Sequence, residues 1–318
     1  MRVAVLAVNG MFDSGLTVIL DLLATANVLS GQADLLAPPF EVIPVGWGTT
    51  VRTAHGLQLA TTPWSQISDA PPDLAVMPAV GLRPPAEVID MVRDHNVLAA
   101  IGTLCENGTG MAAACSGTFF LAEAGVLDGL TATTSWWLSP AFRARYPKVD
   151  LDQSKTLAIA GNITTAGAAF AHMDLALSLV HRQSPALAEL VARYLVIGDR
   201  PSQAAVAVPS LLASGHPSVA AFERYVRDNL SDPIGVEDAA RAIGVSERTL
   251  QRATMTTVGM SPVRFVQEIR LEQATYLLRT TNQTADAIAA AVGYQDGGTL
   301  RTLVRRRRHT TLAALRRN

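Results

Sequence analysis

The chain of 318 residues is long enough for two domains, and with 49% hydrophobic and 17% charged residues it can bury substantial cores. The net charge of −1 hides an asymmetry. Residues 218–318 carry 15 arginines, no lysine and 10 acidic residues (+5), whereas residues 1–217 carry 11 basic and 17 acidic residues (−6). A basic segment beside an acidic one is typical of a nucleic-acid-binding module attached to a domain of another kind. The two cysteines, Cys105 and Cys115, exclude a disulfide scaffold.

The N-terminus favours a buried strand over a secretion signal. Residues 1–8 are apolar but short, and Asn9-Gly10 follows without a small-residue cleavage pattern. By our count no apolar run reaches the roughly 18 residues needed to span a bilayer. We therefore expect a cytoplasmic protein with no membrane partner.

Apolar runs alternate with helical periods over the first 185 residues. The predicted strands are 3–8, 40–45, 73–77, 111–114 and 157–160, and the predicted helices are 15–29, 86–104, 116–124 and 166–181. This alternation predicts an α/β domain, a flavodoxin-like parallel sheet with helices on both faces. Gln183-Ser-Pro185 interrupts the pattern, so we assign 1–185 to this domain, 186–217 to a linker and 218–318 to an all-α domain.

The all-α domain begins with the spacing of a helix-turn-helix. Val236, Ala239, Ala240 and Ile243 form one apolar helix face, and Gly244 ends that helix. Ser246 is a good N-cap for the next helix, in which Leu250 points inward. The residues that we predict to face DNA are Ser246, Arg248, Thr249, Gln251 and Arg252.

A second unit repeats this pattern 49 residues later, with Ile288, Ala289 and Val292 in the positions of the first apolar face. Asp296 is the predicted N-cap, and Gly297-Gly298 should weaken the first turn. The predicted DNA-facing residues of this unit are Thr299, Arg301, Thr302 and Arg305, and we expect the run 305–308 to contact phosphates. A helix that starts at Ser261-Pro262 would hold two recognition helices roughly 34 Å apart, as successive major grooves require.

These motifs resemble the DNA-binding domain of AraC-type transcription regulators. They run Ala240-x-x-Ile-Gly-Val-Ser-x-Arg-Thr-Leu-x-Arg252, then Gly259-Met-Ser-Pro262, then Ile288-Ala-x-x-Val-Gly-Tyr-x-Asp296. The resemblance covers about one third of the chain, in the right order. It implies a double-stranded DNA partner.

A second resemblance centres on Cys115, which Ala112-Ala-Ala-Cys-Ser-Gly-Thr118 places between a strand and a helix. Such a turn lifts the side chain above the sheet edge, and the helix N-terminus favours the thiolate. Residues 115–129 and Ala132-Thr-Thr-Ser-Trp136 resemble the class I glutamine-amidotransferase-like domain of the PfpI type, in the GlxA-like subset that is fused to AraC-type domains. Residues 161–167, 193–195 and 200–203 fit the same architecture.

The resemblance argues against catalysis. In the enzymes of this superfamily a histidine commonly stands at the position of Ser135, and serine cannot act as the base at neutral pH. His95 and His172 could approach in space, and Asp13 is the nearest acidic candidate to assist the cysteine. We expect no enzyme activity, no cofactor and no metal site, since metal-binding motifs are absent from the sequence.

Three interpretations of Cys115 stay open. It lines a small-molecule pocket with Asp13, Ser116, Ser135 and Trp136 at the carboxyl edge of the sheet, or it senses oxidants and electrophiles, or it is inert. The Trp136-Trp137 pair would wall such a pocket or simply fill the core, and Cys105 fits a packing role.

The leading hypothesis is a sequence-specific transcription regulator, a homodimer whose first domain senses a small molecule or a redox signal without catalysis. The alternatives are a cysteine-dependent hydrolase or amidotransferase-like enzyme with an accessory DNA-binding domain, and a plain thiol redox switch. The sequence leaves open the effector, the operator and whether the regulator activates or represses.

Overall fold

The computed structural model describes residues 1–32, 37–67, 70–168, 170–198, 203, 208–213, 215–308 and 310–317. The chain divides into two compact units, Met1–Gln203 and Ala204–Asn318, called here the α/β domain and the helical domain. Residues 200–202 of the 200–203 stretch lie outside the described residues, as do parts of the linker that we predict.

The α/β domain is built on a seven-stranded sheet in the order β10-β11-β7-β6-β1-β2-β5. The described strands are β1 Arg2–Leu6, β2 Glu41–Gly46, β3 Thr50–Arg52, β4 Gln58–Ala60, β5 Thr62–Pro63, β6 Leu74–Met77, β7 Gly110–Ala114, β8 Thr131–Ala132, β9 Asp150–Leu151, β10 Leu157–Ala160 and β11 Ile163–Ala166. Within this sheet β10 pairs with β11 antiparallel and the other neighbours pair in parallel. The predicted mainly parallel sheet is confirmed.

Helices cover this sheet in two groups. They are α1 Asp13–Gln32, α2 Pro85–Val92, α3 Val97–Glu106, α4 Gly117–Glu123, α5 Ser139–Arg145, α6 Ala171–Gln183 and α7 Pro185–Tyr194. Helix α6 packs with α1 and α7, while α4 packs with α2 and α3. Every residue of the central strands β6 and β7 is buried, as expected of strands covered on both faces.

Three predicted elements differ from the structure. The predicted helix 86–104 is two helices, because the polar run Arg93–Asn96 separates them and Asp94 takes a positive φ of 54°. Strand β11 occupies the stretch before Gly167, where its β-branched Thr164 and Thr165 are buried in the sheet, so α6 begins at Ala171 instead of at 166. Helix α7 lies in the stretch that we assign to the linker, and it packs against α1 and α6.

Our statement that no apolar run is long enough to cross a bilayer was wrong for α1. Its residues Asp13–Gly31 pass the test of length and composition, with a mean hydropathy of 1.4. Ile19, Leu22, Leu23 and Ala26 of this helix are buried at 1% exposure or less, and α6 and α7 pack on it. Its apolar side chains thus belong to the core of the α/β domain.

The helical domain contains α8 Pro209–Ala213, α9 Pro217–Asp228, α10 Val236–Ala242, α11 Glu247–Val258, α12 Pro262–Thr280, α13 Ala285–Ala291, α14 Gly297–Arg308 and α15 Leu312–Arg317. The two predicted helix-turn-helix units are α10–α11 and α13–α14. Gly244 and Gly293 end the first helix of each unit at a φ of 75° and 77°, which glycine adopts most readily. The long helix α12 packs against both units.

Candidate functional site

The turn at Cys115 has the strained geometry that the sequence predicts. Cys115 follows β7 directly and takes a φ of 55°, a left-handed conformation that is uncommon for residues other than glycine. A Cβ on Gly117 would lie 2.4 Å from the carbonyl oxygen of Met77 and 2.7 Å from that of Pro78. Glycine is therefore required for α4 to start this close to the end of β6.

The thiol itself is buried and hydrogen-bonded. The Ser135 hydroxyl donates to Cys115 Sγ at 2.7 Å, and the Thr134 hydroxyl donates to the Cys115 carbonyl at the same distance. Burial raises the pKa of Cys115, and the hydrogen bonds from Ser135 and Ser116 only partly oppose this effect. The thiolate that we expect from the helix N-terminus is thus not favoured, because the effect of burial on the pKa outweighs that of the hydrogen bonds.

The two histidines named as possible bases are held by other contacts. His172 is buried, and its Nε2 accepts the amide hydrogen of Ala79 at 3.2 Å. His95 packs edge-on against Trp47 and Phe120, and burial lowers its pKa. The side chains that hydrogen-bond to Cys115 are those of Ser135 and Ser116, and neither is a base at neutral pH.

Asp13 is engaged by a turn that our sequence analysis missed. Its Oδ1 accepts from the Thr53 hydroxyl at 2.5 Å, and its Oδ2 lies 2.7 Å from His55 Nδ1. Burial raises the pKa of Asp13, but the hydrogen bonds from Thr53 and His55 outweigh it, so the net pKa is lowered. Thr53 and His55 lie outside any motif, so no local signal in the sequence could have identified them.

Of the remaining predicted pocket residues, Ser116 and Ser135 contact the thiol, whereas Trp136 is seen in contact with other residues. Ser116 and Ser135 are buried, and Ser116 Oγ accepts from the Val80 amide at 3.0 Å. Trp136 is 9% exposed and packs edge-on against Trp137, and its backbone amide donates to Gln203 Oε1 at 3.1 Å. Gln203 is therefore a neighbour of this site. It belongs to the stretch 200–203, but the sequence did not mark it as a site residue. A cavity of about 470 Å³ lies at the opposite sheet edge, lined by Met1, Asp73 and Gly110 among others.

The predicted DNA-facing side chains lie on the surface of the helical domain. Ser246 caps α11 by accepting from the Thr249 amide at 3.1 Å, and Asp296 accepts from the Thr299 amide at 2.8 Å at the start of α14. Thr249 is half-buried, and the other predicted contacts are exposed: Ser246, Arg248, Gln251, Arg252, Thr299, Arg301, Thr302 and Arg305. Within the described ranges, none of these four arginines forms a salt bridge.

The arginine run at the end of α14 divides between two roles. Arg305 and Arg306 are exposed, as a phosphate contact requires. Arg308 instead forms a 2.8 Å salt bridge with Glu268 of α12, and the two side chains are only 7% and 12% exposed. Arg307 donates to Gln267 at 3.3 Å. Arg307 and Arg308 thus attach α14 to α12, while phosphate contact by the run stays a prediction.

Arg270, on α12, forms hydrogen bonds to residues on both sides of this helix in the sequence. Arg270 is buried and donates to the carbonyl of Asp232, before α10, at 2.6 Å. It also donates at 3.2 Å to the carbonyl of Gly293, in the turn of the second unit, and its guanidinium lies 5.5 Å from the Tyr294 ring centroid. One side chain thus contacts the segment that precedes the first unit and the turn of the second.

Comparisons with known proteins agree with this division. Residues 1–182 match the model of the DJ-1/PfpI family, and residues 239–318 match the model of a helix-turn-helix domain. The chain is similar to the HTH-type transcriptional regulator GbdR of Pseudomonas aeruginosa, with 25% identity over 252 residues, 78% of this chain and 66% of GbdR. It therefore spans just under two thirds of that relative.

A further relative is matched over nearly the whole chain. The HTH-type transcriptional regulator GlxA of Rhizobium meliloti is 26% identical over 305 residues, which cover 93% of this chain and 89% of GlxA. The crystal structure of Drosophila melanogaster DJ-1beta superposes with a TM-score of 0.51 at 19% identity, covering 62% of this chain and 98% of that one, and so shares its fold. This chain belongs to the DJ-1/PfpI family, and its second domain is an AraC-type helix-turn-helix domain.

Proposed function

We propose that this protein is a sequence-specific DNA-binding transcription regulator. The observation that carries the proposal is the pair of recognition helices, α11 and α14. The first presents the exposed Arg248 and Arg252, and the second presents the exposed Arg301, Arg305 and Arg306. Arginine recognises guanine edges and phosphates, and exposed guanidiniums that form no salt bridge within the described residues can do so at little cost.

The names of the relatives support this proposal, since GbdR and GlxA are both transcriptional regulators. The α/β domain then acts as the sensor of a small molecule or a redox signal. We also propose that the protein is cytoplasmic and binds as a homodimer, because paired sites add affinity to each single contact.

Catalysis by Cys115 is the weaker hypothesis. A nucleophilic cysteine needs a lowered pKa or an adjacent base, whereas burial raises the pKa of Cys115 and its side-chain partner is Ser135. The elbow geometry supports a binding or sensing role instead.

The test is a fluorescence-anisotropy titration with DNA from upstream of the protein's own gene and its neighbours, at two salt concentrations with nonspecific competitor. Arg252→Ala and Arg301→Ala should each weaken binding to the selected fragment by about tenfold or more, since such contacts contribute roughly 1–3 kcal/mol. Arg241→Ala is the matched control, because Arg241 is exposed but paired with Glu237 and Asp238. Equal affinities for all three variants, or equal binding to every fragment, would contradict the proposal.

A further inference from the structure

Gln203 of the α/β domain is buried and hydrogen-bonded through both ends of its carboxamide. It is the last residue of that unit and only 4% exposed. Its Nε2 donates to the carbonyls of Lys155 at 2.8 Å and Thr134 at 3.1 Å, and to Thr133 Oγ1 at 3.3 Å. Its Oε1 accepts from the Trp136 amide at 3.1 Å. Both ends of the carboxamide are therefore satisfied by partners of the right polarity.

These partners form a site that distinguishes an amide from a carboxylate. One backbone N–H faces the amide oxygen, and two backbone carbonyls face the amide nitrogen. A carboxylate has no N–H to give those carbonyls, so it would place a negative charge against two carbonyl oxygens, of which, among the described residues, only that of Lys155 keeps another donor, the Thr133 hydroxyl. The recognition comes mainly from backbone atoms of the loop Thr133–Trp136, which is called here the amide loop.

Gly167 makes room for the amide. A Cβ at this position would lie 2.0 Å from Gln203 Nε2 and 2.2 Å from its Cδ. The φ of Gly167 is not among the positive values, so the backbone itself would accept alanine. The glycine is thus required here by the approach of the amide.

The amide loop also touches the elbow. Ser135, within the loop, donates to Cys115 Sγ, and its Oγ lies 3.4 Å from the Gly167 carbonyl. Thr134 donates to the Cys115 carbonyl from its side chain and accepts from Gln203 with its backbone. Gln203 therefore fixes one side of the loop whose other side holds the thiol.

We propose that the amide loop, with Lys155 and Gly167, is a primary-carboxamide-binding site that Gln203 fills in cis, and that this occupancy closes the protein over Cys115. A ligand with a primary amide competes with Gln203 for the same atoms. Displacement releases Gln203, and the helical domain begins at the next residue. A change at the elbow therefore reaches the boundary between the two domains. The inference does not depend on the proposed DNA binding.

The experiment measures how fast Cys115 is labelled by methyl methanethiosulfonate, a thiol reagent without an amide. It uses the full chain with Cys105→Ser, so that Cys115 is the one thiol present. Gln203→Ala should raise the labelling rate at least about tenfold, because the loop loses the hydrogen bonds that hold it closed. Gln203→Glu should behave in the same way, since it keeps the size but loses the N–H donors. Gln58→Ala, at an exposed position in β4, is the control and should label at the parent rate.

Chemical rescue tests the recognition. Propionamide added to the Gln203→Ala variant should slow labelling again, whereas propionate at the same concentration and ionic strength should not. If both compounds act alike, carboxamide recognition is refuted. If Gln203→Ala labels at the parent rate, the closure itself is refuted.

Gly167→Ala provides an independent route to the same state. It should raise the labelling rate by expelling the amide, and it should add nothing when combined with Gln203→Ala. Circular dichroism spectra equal to that of the parent show that the variants are folded. Additive effects of the two substitutions would overturn the inference, because they would mean that the residues act separately.

Discussion

The two helix-turn-helix units share one sequence pattern but are held in place by different forces. In the first unit the recognition helix α11 rests on apolar packing, and no salt bridge joins it to another helix within the described residues, although the neighbouring α9 and α12 are joined by the Arg227–Glu272 pair. Leu250 is fully buried, and Phe222 of α9 meets Phe265 of α12 with ring centroids 6.2 Å apart. Its recognition helix has the neutral cap Ser246.

The second unit combines a similar apolar core with ionic contacts. Leu300 and Val304 are buried against Leu271 and Leu278 of α12. The Arg308–Glu268 pair then attaches α14 to α12, and the charged Asp296 caps that helix. The repeated motif gives both units the same local structure. The stability of each unit comes from contacts with neighbouring helices that lie outside the motif. The second unit should therefore respond more strongly to acid and to loss of single charges.

Among the changes that would distinguish the two units, loss of Arg308 has the largest expected effect. Arg308→Ala leaves Glu268, only 12% exposed, without its partner, and such losses cost about 3 kcal/mol or more. We expect faster hydrogen exchange in α14 with little change in α11, measured by mass spectrometry on the full chain. Arg306→Ala, at an exposed neighbouring position, is the control. It should change the free energy of opening, derived from the exchange rates, by less than about 0.5 kcal/mol. Equal effects of the two substitutions would contradict the anchoring role.

A smaller effect is expected at the cap of the first recognition helix. Ser246→Ala removes the oxygen that accepts from the Thr249 amide, which should destabilise α11 by about 1 kcal/mol. The same exchange experiment should show faster exchange at the start of α11 and unchanged exchange in α14. Ser246→Asp should restore protection, since aspartate caps equally well. All four tryptophans lie in the α/β domain, so unchanged tryptophan fluorescence confirms that this domain is intact.

The smallest expected effect is a difference between the two helix caps in how the stability of the helix depends on pH. A hydrogen bond from the Thr299 backbone lowers the pKa of Asp296. The Thr299 hydroxyl and the charge of Arg301 lower it further by smaller amounts. A lowered folded-state pKa stabilises the helix above the ordinary aspartate pKa, and this contribution is lost as the pH falls through the folded-state pKa, below about pH 4. Exchange in α14, corrected for the intrinsic rate, should therefore increase in acid more than exchange in α11.

Asp296→Ser supplies the control for this pH effect, because it replaces the charged cap with the neutral one of the first unit. The variant should lose the part of the acid response that comes from the cap. An unchanged acid response would contradict the assignment of this effect to the Asp296 cap.

Much of the fold could be predicted because its signals are local. Gly244 and Gly293 mark both turns, Ser246 and Asp296 cap the following helices, and the predicted Cys115 elbow is present with its positive φ. Strand β11 was missed, since two threonines in a four-residue run carry little hydrophobic signal. The break between α2 and α3 was missed because its flanks continue the same apolar period.

The sequence by itself determined the main strands and helices, their order, the elbow and the exposed arginines of the recognition helices, because caps, turns and periodicity depend on residues a few positions apart. Only the tertiary structure decided the direction of Arg308, the partners of Asp13 and the place of Gln203. Each depends on a residue that is distant in the chain: Glu268, Thr53 and the loop at Thr134. The same packing buries Cys115 and so raises its pKa, which no spacing of residues along the chain could reveal.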